Sequence, residues 1–537
     1  MFIEPRQQKI IIAVIFAVYF LLGLLSSRHK TFTTDEERNL AYGDLILHLD
    51  SQRISDSEMP FSALNAIPFR IRQSFQPELR FDQFILIPRM MTVIFSLIVA
   101  GYVFRWAQEL YGTRAGFFSL LLYVLCPNII AHSQLINTDV YCAGMVTIAL
   151  YYFWKFLNRN GKSSAFLSAT TLGISQLAKY TSVFLYPIFL IIVLCRAAAA
   201  WFRRGKEEKS SGGRGGFKLF AKYFVIFVLL NILVINMGFL FCKPLIPWKD
   251  YSFKSEALQS IQSGVKALQN FPVLLPYPFV EGLDLVRHNE RIGASFGHLY
   301  LLGKLKQQGE NFAGFNGYYF YAFLFKVPIA IQLFILMALI GYMRRAGTFD
   351  FWKNEIFFCC PILFFTVYFN FFYRAQIGIR HFLVAFPLLF IFCGSLAAEG
   401  IFLSRRLKVS VVTLFIYLGV SVASYFPHYL SYFNEMVWDR KQAYKFLADS
   451  NIDWEQNQWY LEQYRKAHPE AIVNPEAPVA GEIVVGVNDL VGVFDAERFA
   501  WLREHFEPVD HIAYSYLVYD ISPQELSVIM GTEKNRR

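Results

Sequence analysis

The sequence predicts a polytopic α-helical membrane protein that ends in a small α/β domain outside the bilayer. Three observations predict it. Apolar runs of about 17–25 residues, the length a helix needs to cross a hydrocarbon core, recur through roughly the first four-fifths of the chain. Basic residues concentrate in alternate loops between those runs. After Pro427 the chain changes to short mixed segments of helical and strand character. Of 537 residues, 55% are hydrophobic, 18% aromatic and 17% charged. Soluble domains carry about 25% charged residues, so this balance suits lipid-facing helices.

The first span covers residues 9–25; no small-residue cleavage site follows, so it reads as an uncleaved anchor. Further spans are expected at 84–104, 115–131, 140–157, 165–180, 181–200, 219–241, 318–341, 355–372, 381–399 and 409–425, eleven in all. With Arg6 and Lys9 cytoplasmic, the positive-inside rule requires basic alternate loops. They carry Arg105 and Arg114; Arg159 and Lys162; Arg203 to Lys218; Arg344, Arg345 and Lys353; and Arg405, Arg406 and Lys408. The Gly/Ser-rich stretch 205–216 reads as a flexible cytoplasmic linker. An odd number of spans leaves the end of the chain extracytoplasmic. The expected organisation is a membrane domain at 1–425, with external loops 26–83 and 243–316, and an external α/β domain at 426–537. Amphipathic pieces at 39–49 and 61–69 should lie along the interface. In the tail, helices are expected at 440–467 and 495–505 and strands at 482–487 and 512–519.

The net charge of +10 does not point to nucleic acid, because no basic helix or RNA-binding motif accompanies it; topology accounts for it. All seven cysteines lie in or at the ends of apolar spans, so neither a disulfide framework nor a Cys-based zinc site is expected outside. No cofactor is expected. A divalent metal is conceivable, but no His/Asp/Glu set has ligand spacing, so no metal site is assigned.

The topology sorts the unusual polar residues. Asp35-Glu36, Asn137-Thr138-Asp139, Lys179-Tyr180 and the segment Arg374 to His381 all fall at the external face. Carboxylates at a bilayer rim are costly to desolvate, which favours function; the plain alternative is a helix cap at Asp35 and another at Asp139. Lys179 is alternatively a snorkelling side chain, and Arg380-His381 a headgroup anchor. Asp449 and Asp453 share a helical face if that segment is helical; a turn would present Asn451 and Trp454 instead. A transporter more often keeps its polar residues near the midplane on broken helices. Polar residues gathered at one rim suit a site reached laterally by a lipid and from outside by a polar acceptor.

Ordered motifs carry a family resemblance over nearly the whole length. They are Asp35-Glu36 after the first span, Pro127 to His132 leading to Asn137-Thr138-Asp139, and Ala178-Lys179-Tyr180-Thr181. Tyr300-Leu301-Leu302-Gly303, Tyr318-Tyr319-Phe320, Phe325-Lys326-Val327-Pro328, Gly378 to Phe382 and Asp449 to Trp454 follow. Together they resemble the membrane-embedded glycosyltransferases of the GT-C type. Within these the chain is most similar to the bacterial branch of the dolichyl-phosphate-mannose protein mannosyltransferases, glycosyltransferase family 39, relatives of the aminoarabinose transferases. The resemblance implies a bacterial plasma-membrane enzyme that moves a sugar from a polyprenyl-phosphate donor to a protein, lipid or glycan acceptor. It implies Asp35 as general base, with Glu36 and Asp139 beside it and inversion in one displacement. Lys179, Arg374, Arg380 and His381 are the candidates for the donor phosphate, and Glu58, Tyr180, Asn451, Asp453 and Trp454 complete the expected substrate contacts. The chain departs from the family at Glu58-Met59-Pro60-Phe61, where relatives carry a basic residue before Pro-Pro. Restoring His or Lys at Met59 is expected to leave activity unchanged or raise it. A lipid-linked sugar flippase and a catalytically silent scaffold are the competing classes.

Overall fold

The computed structural model describes residues 4–52, 58–159, 161–203, 212–293, 297–309, 312–345, 347–400 and 404–534. Residues 205–211 of the expected linker lie outside these, and 212–216 already belong to a helix.

Helix α1 (Pro5–Ser27) opens on a proline, which the first helical position tolerates because its N–H has no helical partner there. Helices α2 (Glu36–Leu47) and α3 (Ala63–Gln73) lie in the connection between the first two long helices, close to the expected amphipathic pieces. Helices α4 (Leu86–Tyr111) and α5 (Thr113–Val124) meet at Gly112, whose φ of 95° and contact with the Glu399 side chain leave no room for a Cβ. Helix α6 (Pro127–Ser133) bends 63° away from α5. Helix α7 (Thr138–Arg159) is the central element, buried by its neighbours along almost its whole length. Around it pack α8 (Lys162–Ser175), α4 and the 3-10 turn at 379–385. Helices α9 (Leu185–Arg203) and α10 (Gly212–Gly238) follow.

The connection after α10 holds α11 (Glu256–Gly264), α12 (Tyr277–Ile292) and an antiparallel hairpin of β1 (His298–Leu301) and β2 (Lys304–Gln307). Helices α13 (Tyr318–Lys326) and α14 (Ile329–Arg344) are bent by 113° at Val327-Pro328, where proline cannot continue a helical ladder. The membrane domain closes with α15 (Ile356–Phe371), α16 (Phe386–Cys393) and α17 (Arg405–Ser424).

Every expected span coincides with helix, and the chain is a multi-pass membrane protein. Two of the eleven expected spans fall short of the usual crossing length. Among the described residues, seven helical stretches are long and apolar enough to cross, or nine if each bent pair is one span. The remaining two are α8 and α15, of 14 and 16 residues, which rise only about 21–24 Å against a core of about 30 Å.

The C-terminal module contains α18 (Gln458–Ala467), β3 (Ile472–Val473), β4 (Gly481–Gly486), α19 (Val487–Val491), α20 (Ala500–His505), β5 (Asp510–Ile512), β6 (Tyr516–Ile521) and α21 (Pro523–Lys534). Its sheet has the order β3-β4-β6-β5, with β3 parallel to β4 and the other pairs antiparallel. The helix expected at 440–467 forms only from Gln458. Upstream, Asp439 and Asp449 accept hydrogen bonds from nearby backbone N–H groups, which favours turns over helix.

Candidate active site

Asp35 stands at the start of α2, yet its side chain makes no capping bond. Its Oδ1 accepts from Arg38 Nη2 at 2.9 Å and its Oδ2 lies 3.2 Å from Arg380 Nη1. Asp139 is likewise free of capping duty, because its backbone N–H donates to the Asn137 side chain at 3.0 Å. The buried Asp139 carboxylate instead takes Lys179 Nζ at 2.5 Å on Oδ1 and lies 3.7 Å from Arg380 Nη1 on Oδ2. Lys179 Nζ is 3.3 Å from His381 Nδ1, which is also 3.3 Å from the Tyr373 hydroxyl. Four segments far apart in sequence thus supply one cluster of two carboxylates, two cations and an imidazole.

The C-terminal part of the chain covers this cluster. The Arg380 guanidinium stacks on the Trp454 ring, its carbon 3.9 Å from the ring centre. Asn451 Oδ1 accepts from Ile379 N at 3.0 Å, and Asn451 Nδ2 donates to the Tyr318 hydroxyl at 2.9 Å. Lys326, wholly buried, donates to the carbonyls of Leu430 at 2.7 Å and Asn451 at 2.5 Å. Asp449 has φ 57°, a strained backbone for a residue with a Cβ. Burial pushes its carboxyl up to about 6, against the opposing pull of the Ser450 N–H and Arg380.

Other expected site residues lie elsewhere. Glu36 faces away from the cluster and is fully engaged: it pairs with buried Arg89 at 2.8 and 2.6 Å and accepts from Thr33 N and Ile136 N, each at 2.9 Å. Its geometry is that of a structural anchor and not of a partner to Asp35. Tyr180 is buried against Phe279 and donates to the Pro278 carbonyl at 3.3 Å. Glu58 is buried just before the Pro60–Ser62 turn. Met59 has no exposed surface and packs with Tyr180, Ile235, Phe239 and Phe279. That environment is apolar, so a lysine there would have to carry its charge among aromatic and aliphatic side chains. Asp453 stays with the C-terminal module, accepting from Glu455 N at 3.3 Å, and burial pushes its carboxyl up to about 7. Arg374 donates to the Phe312 carbonyl at 2.6 Å, outside the cluster.

Arg374 lines a charged cleft of about 780 Å³ with Lys254, Arg287, His288, Glu290 and Arg291. The cleft shares Arg287, Glu290 and Phe372 with an apolar groove of about 920 Å³ that runs between α9 and α15 past Phe184, Ile191, Leu363 and Phe364. Tyr180, next in the chain to Lys179, lines the same groove. Sequence reasoning missed Arg287, Glu290, Tyr373 and Arg89. Only Arg89 had a signal, a charge inside an apolar span. Among the described residues no three His, Cys, Asp or Glu side chains form a metal-holding group.

Fold and site define a multi-pass membrane protein with a carboxylate–cation cluster and a separate apolar groove lined by Tyr180, the chain neighbour of Lys179. Residues 82–207 match the model of the family described as dolichyl-phosphate-mannose-protein mannosyltransferase, which bears out the resemblance carried by the motifs over that segment. Among solved structures, the chain is similar to ArnT from Cupriavidus metallidurans bound to undecaprenyl phosphate, with 10% identity, 94% of this chain and 97% of that one covered, and a TM-score of 0.49. It is also similar to the Archaeoglobus fulgidus oligosaccharyltransferase in the apo form, at 13% identity, 77% and 55% coverage and a TM-score of 0.47. The oligosaccharyltransferase AglB of the same archaeon, in complex with an inhibitory peptide and a dolichol-phosphate, gives 10% identity, 85% and 59% coverage and a TM-score of 0.47. The chain spans a little over half the length of these two archaeal proteins. No curated protein matches it.

Proposed function

We propose that this chain transfers a sugar from a polyprenyl-phosphate donor to an acceptor hydroxyl at the external membrane face. The observation that carries this reading is the convergence of Asp35, Asp139, Lys179 and Arg380 in one cluster, with Tyr180, next in the chain to Lys179, lining an apolar groove that meets a charged cleft. An isoprenoid chain suits the groove between α9 and α15, and its phosphate suits the cationic junction. Asp35 takes the acceptor's proton as the oxygen attacks the anomeric carbon, because a hydroxyl is a poor nucleophile near neutral pH without a base. The sugar–phosphate bond breaks as the new bond forms, with inversion. Lys179 and Arg380 stabilise the negative charge growing on the departing phosphate. The acceptor enters from the side of the C-terminal module, where Asn451 and Trp454 border the cluster.

The test is single-turnover transfer from a polyprenyl-phosphate sugar by wild type and Asp35→Asn at matched folded protein. Asn keeps the size of Asp but cannot accept the proton, so transfer should fall by about 10²–10⁴ while donor binding persists. Wild-type turnover in this variant would place the base elsewhere.

A further inference from the structure

Arg380 serves more groups than one charge can satisfy. Its Nη1 sits 3.2 Å from Asp35 and 3.7 Å from Asp139, while its Nε is buried without a hydrogen-bond partner. Both oxygens of Asp35 are occupied, one by Arg380 and one by Arg38. Lys179 is closed on Asp139 in the same way. The two cations that a donor phosphate would need are therefore already paired with carboxylates, and Arg38 holds the other oxygen of Asp35. A phosphate cannot join this cluster at low energetic cost unless the cations change partners. The unused Nε is informative here: Nε and Nη together present the two-pronged edge that matches a phosphate. Stacking on Trp454 holds the guanidinium by its face and leaves its edge free to turn.

We propose that Arg380 is a latch on Asp35, which the donor's phosphate draws away, so that Asp35 becomes able to accept a proton only once the donor is seated. This rests on the lipid-phosphate reading above and adds an order of events to it. Before the donor arrives, Asp35 is held between two guanidiniums. After it arrives, Arg380 belongs to the phosphate and one oxygen of Asp35 is open to the acceptor.

Equilibrium binding of farnesyl phosphate to the full chain in detergent tests the latch without requiring turnover. The proteins are wild type, Asp35→Asn, Arg380→Gln and the double variant, each titrated at its measured folded fraction. Arg380→Met, which keeps the packing on Trp454, replaces the Gln variant if that one misfolds. Removing the competing carboxylate should tighten binding about tenfold, and in the Arg380 background the same change should alter it less than about threefold, as expected of coupled neighbours. Unchanged or weaker binding by Asp35→Asn overturns the latch. Tightening that persists in full without Arg380 overturns it as well, since that is plain repulsion between anions. If wild type does not bind farnesyl phosphate at all, the lipid-phosphate reading falls together with the latch; binding without coupling sinks the latch alone.

Discussion

Replacing Glu36 by Gln should unfold this protein long before it reveals anything about chemistry. Glu36 and Arg89 form an ion pair in which neither side chain has any exposed surface. The carboxylate meets Arg89 Nε at 2.8 Å and Nη2 at 2.6 Å, and also accepts from the backbone of Thr33 and Ile136. Arg89 spends its other donors on the carbonyls of Lys30 and Thr31, at 3.0 and 2.6 Å. Gln removes the charge and turns one acceptor into a donor. Breaking a buried pair from one side costs about 3–5 kcal/mol. A backbone N–H left facing the new amide costs about 1–3 kcal/mol more. The sum rivals the net stability of many folded proteins, about 5–15 kcal/mol. Thermal unfolding of the detergent-solubilised protein, followed by monodispersity, measures the loss. Changing both partners, as Glu36→Leu with Arg89→Met, should recover much of it, because the uncompensated charge is gone. A Glu36→Gln protein as stable as wild type but unable to transfer sugar would refute this reasoning and return Glu36 to the reaction.

Met59→Lys should lower stability by several kcal/mol, because it buries an ammonium among Tyr180, Ile235, Phe239 and Phe279. Met59→Leu should cost less than about 1.5 kcal/mol; equal unfolding temperatures for the two variants would contradict the apolar site. Asp453 supplies a pH effect. Its carboxyl is raised to about 7, so the folded state holds its proton more tightly than the unfolded chain, whose carboxyl titrates near 4. Stability from this group is therefore full below about pH 4 and lost as pH rises through about 7, a change of about 4 kcal/mol. Asp453→Asn should remove that component from stability measured between pH 4 and 8, and an unchanged pH slope would count against a buried, proton-holding Asp453.

The membrane helices were legible because their signal is long and redundant: each needs many apolar residues in a row, and basic loops punctuate them. What composition could not separate was crossing from merely apolar. Helix α15 is apolar and only its length sets it apart, whereas α8 is short and also carries several Ser and Thr residues. Short elements of the C-terminal module were harder. Strand β3 has two residues and β5 three, both below the length at which alternation is a pattern. The segment before Gln458 looked helical by spacing, but its Asp and Asn side chains make local bonds that compete with a helix.

The site divides along the same physical line. Topology alone could gather Asp35, Asp139, Lys179 and Arg380 at one rim, since each ends a helix on the same side. It could not say which oxygen faces which cation, and that is where Asp35 and Glu36 part. They are adjacent in sequence and alike in chemistry, yet one residue of helix rotation turns Glu36 into the dry interior against Arg89 and leaves Asp35 at the cluster. The same limit explains Met59. A missing basic residue reads as a lost phosphate contact when only the motif is visible, whereas the fold shows a position closed by aromatic and aliphatic side chains. Cations then come from places the motif does not contain, Arg380 beneath Trp454 and Arg287 where groove meets cleft. Charge demanded by a phosphate can be met from any loop that reaches the rim, so such a site can shift its cations between segments while its carboxylates stay tied to helix ends.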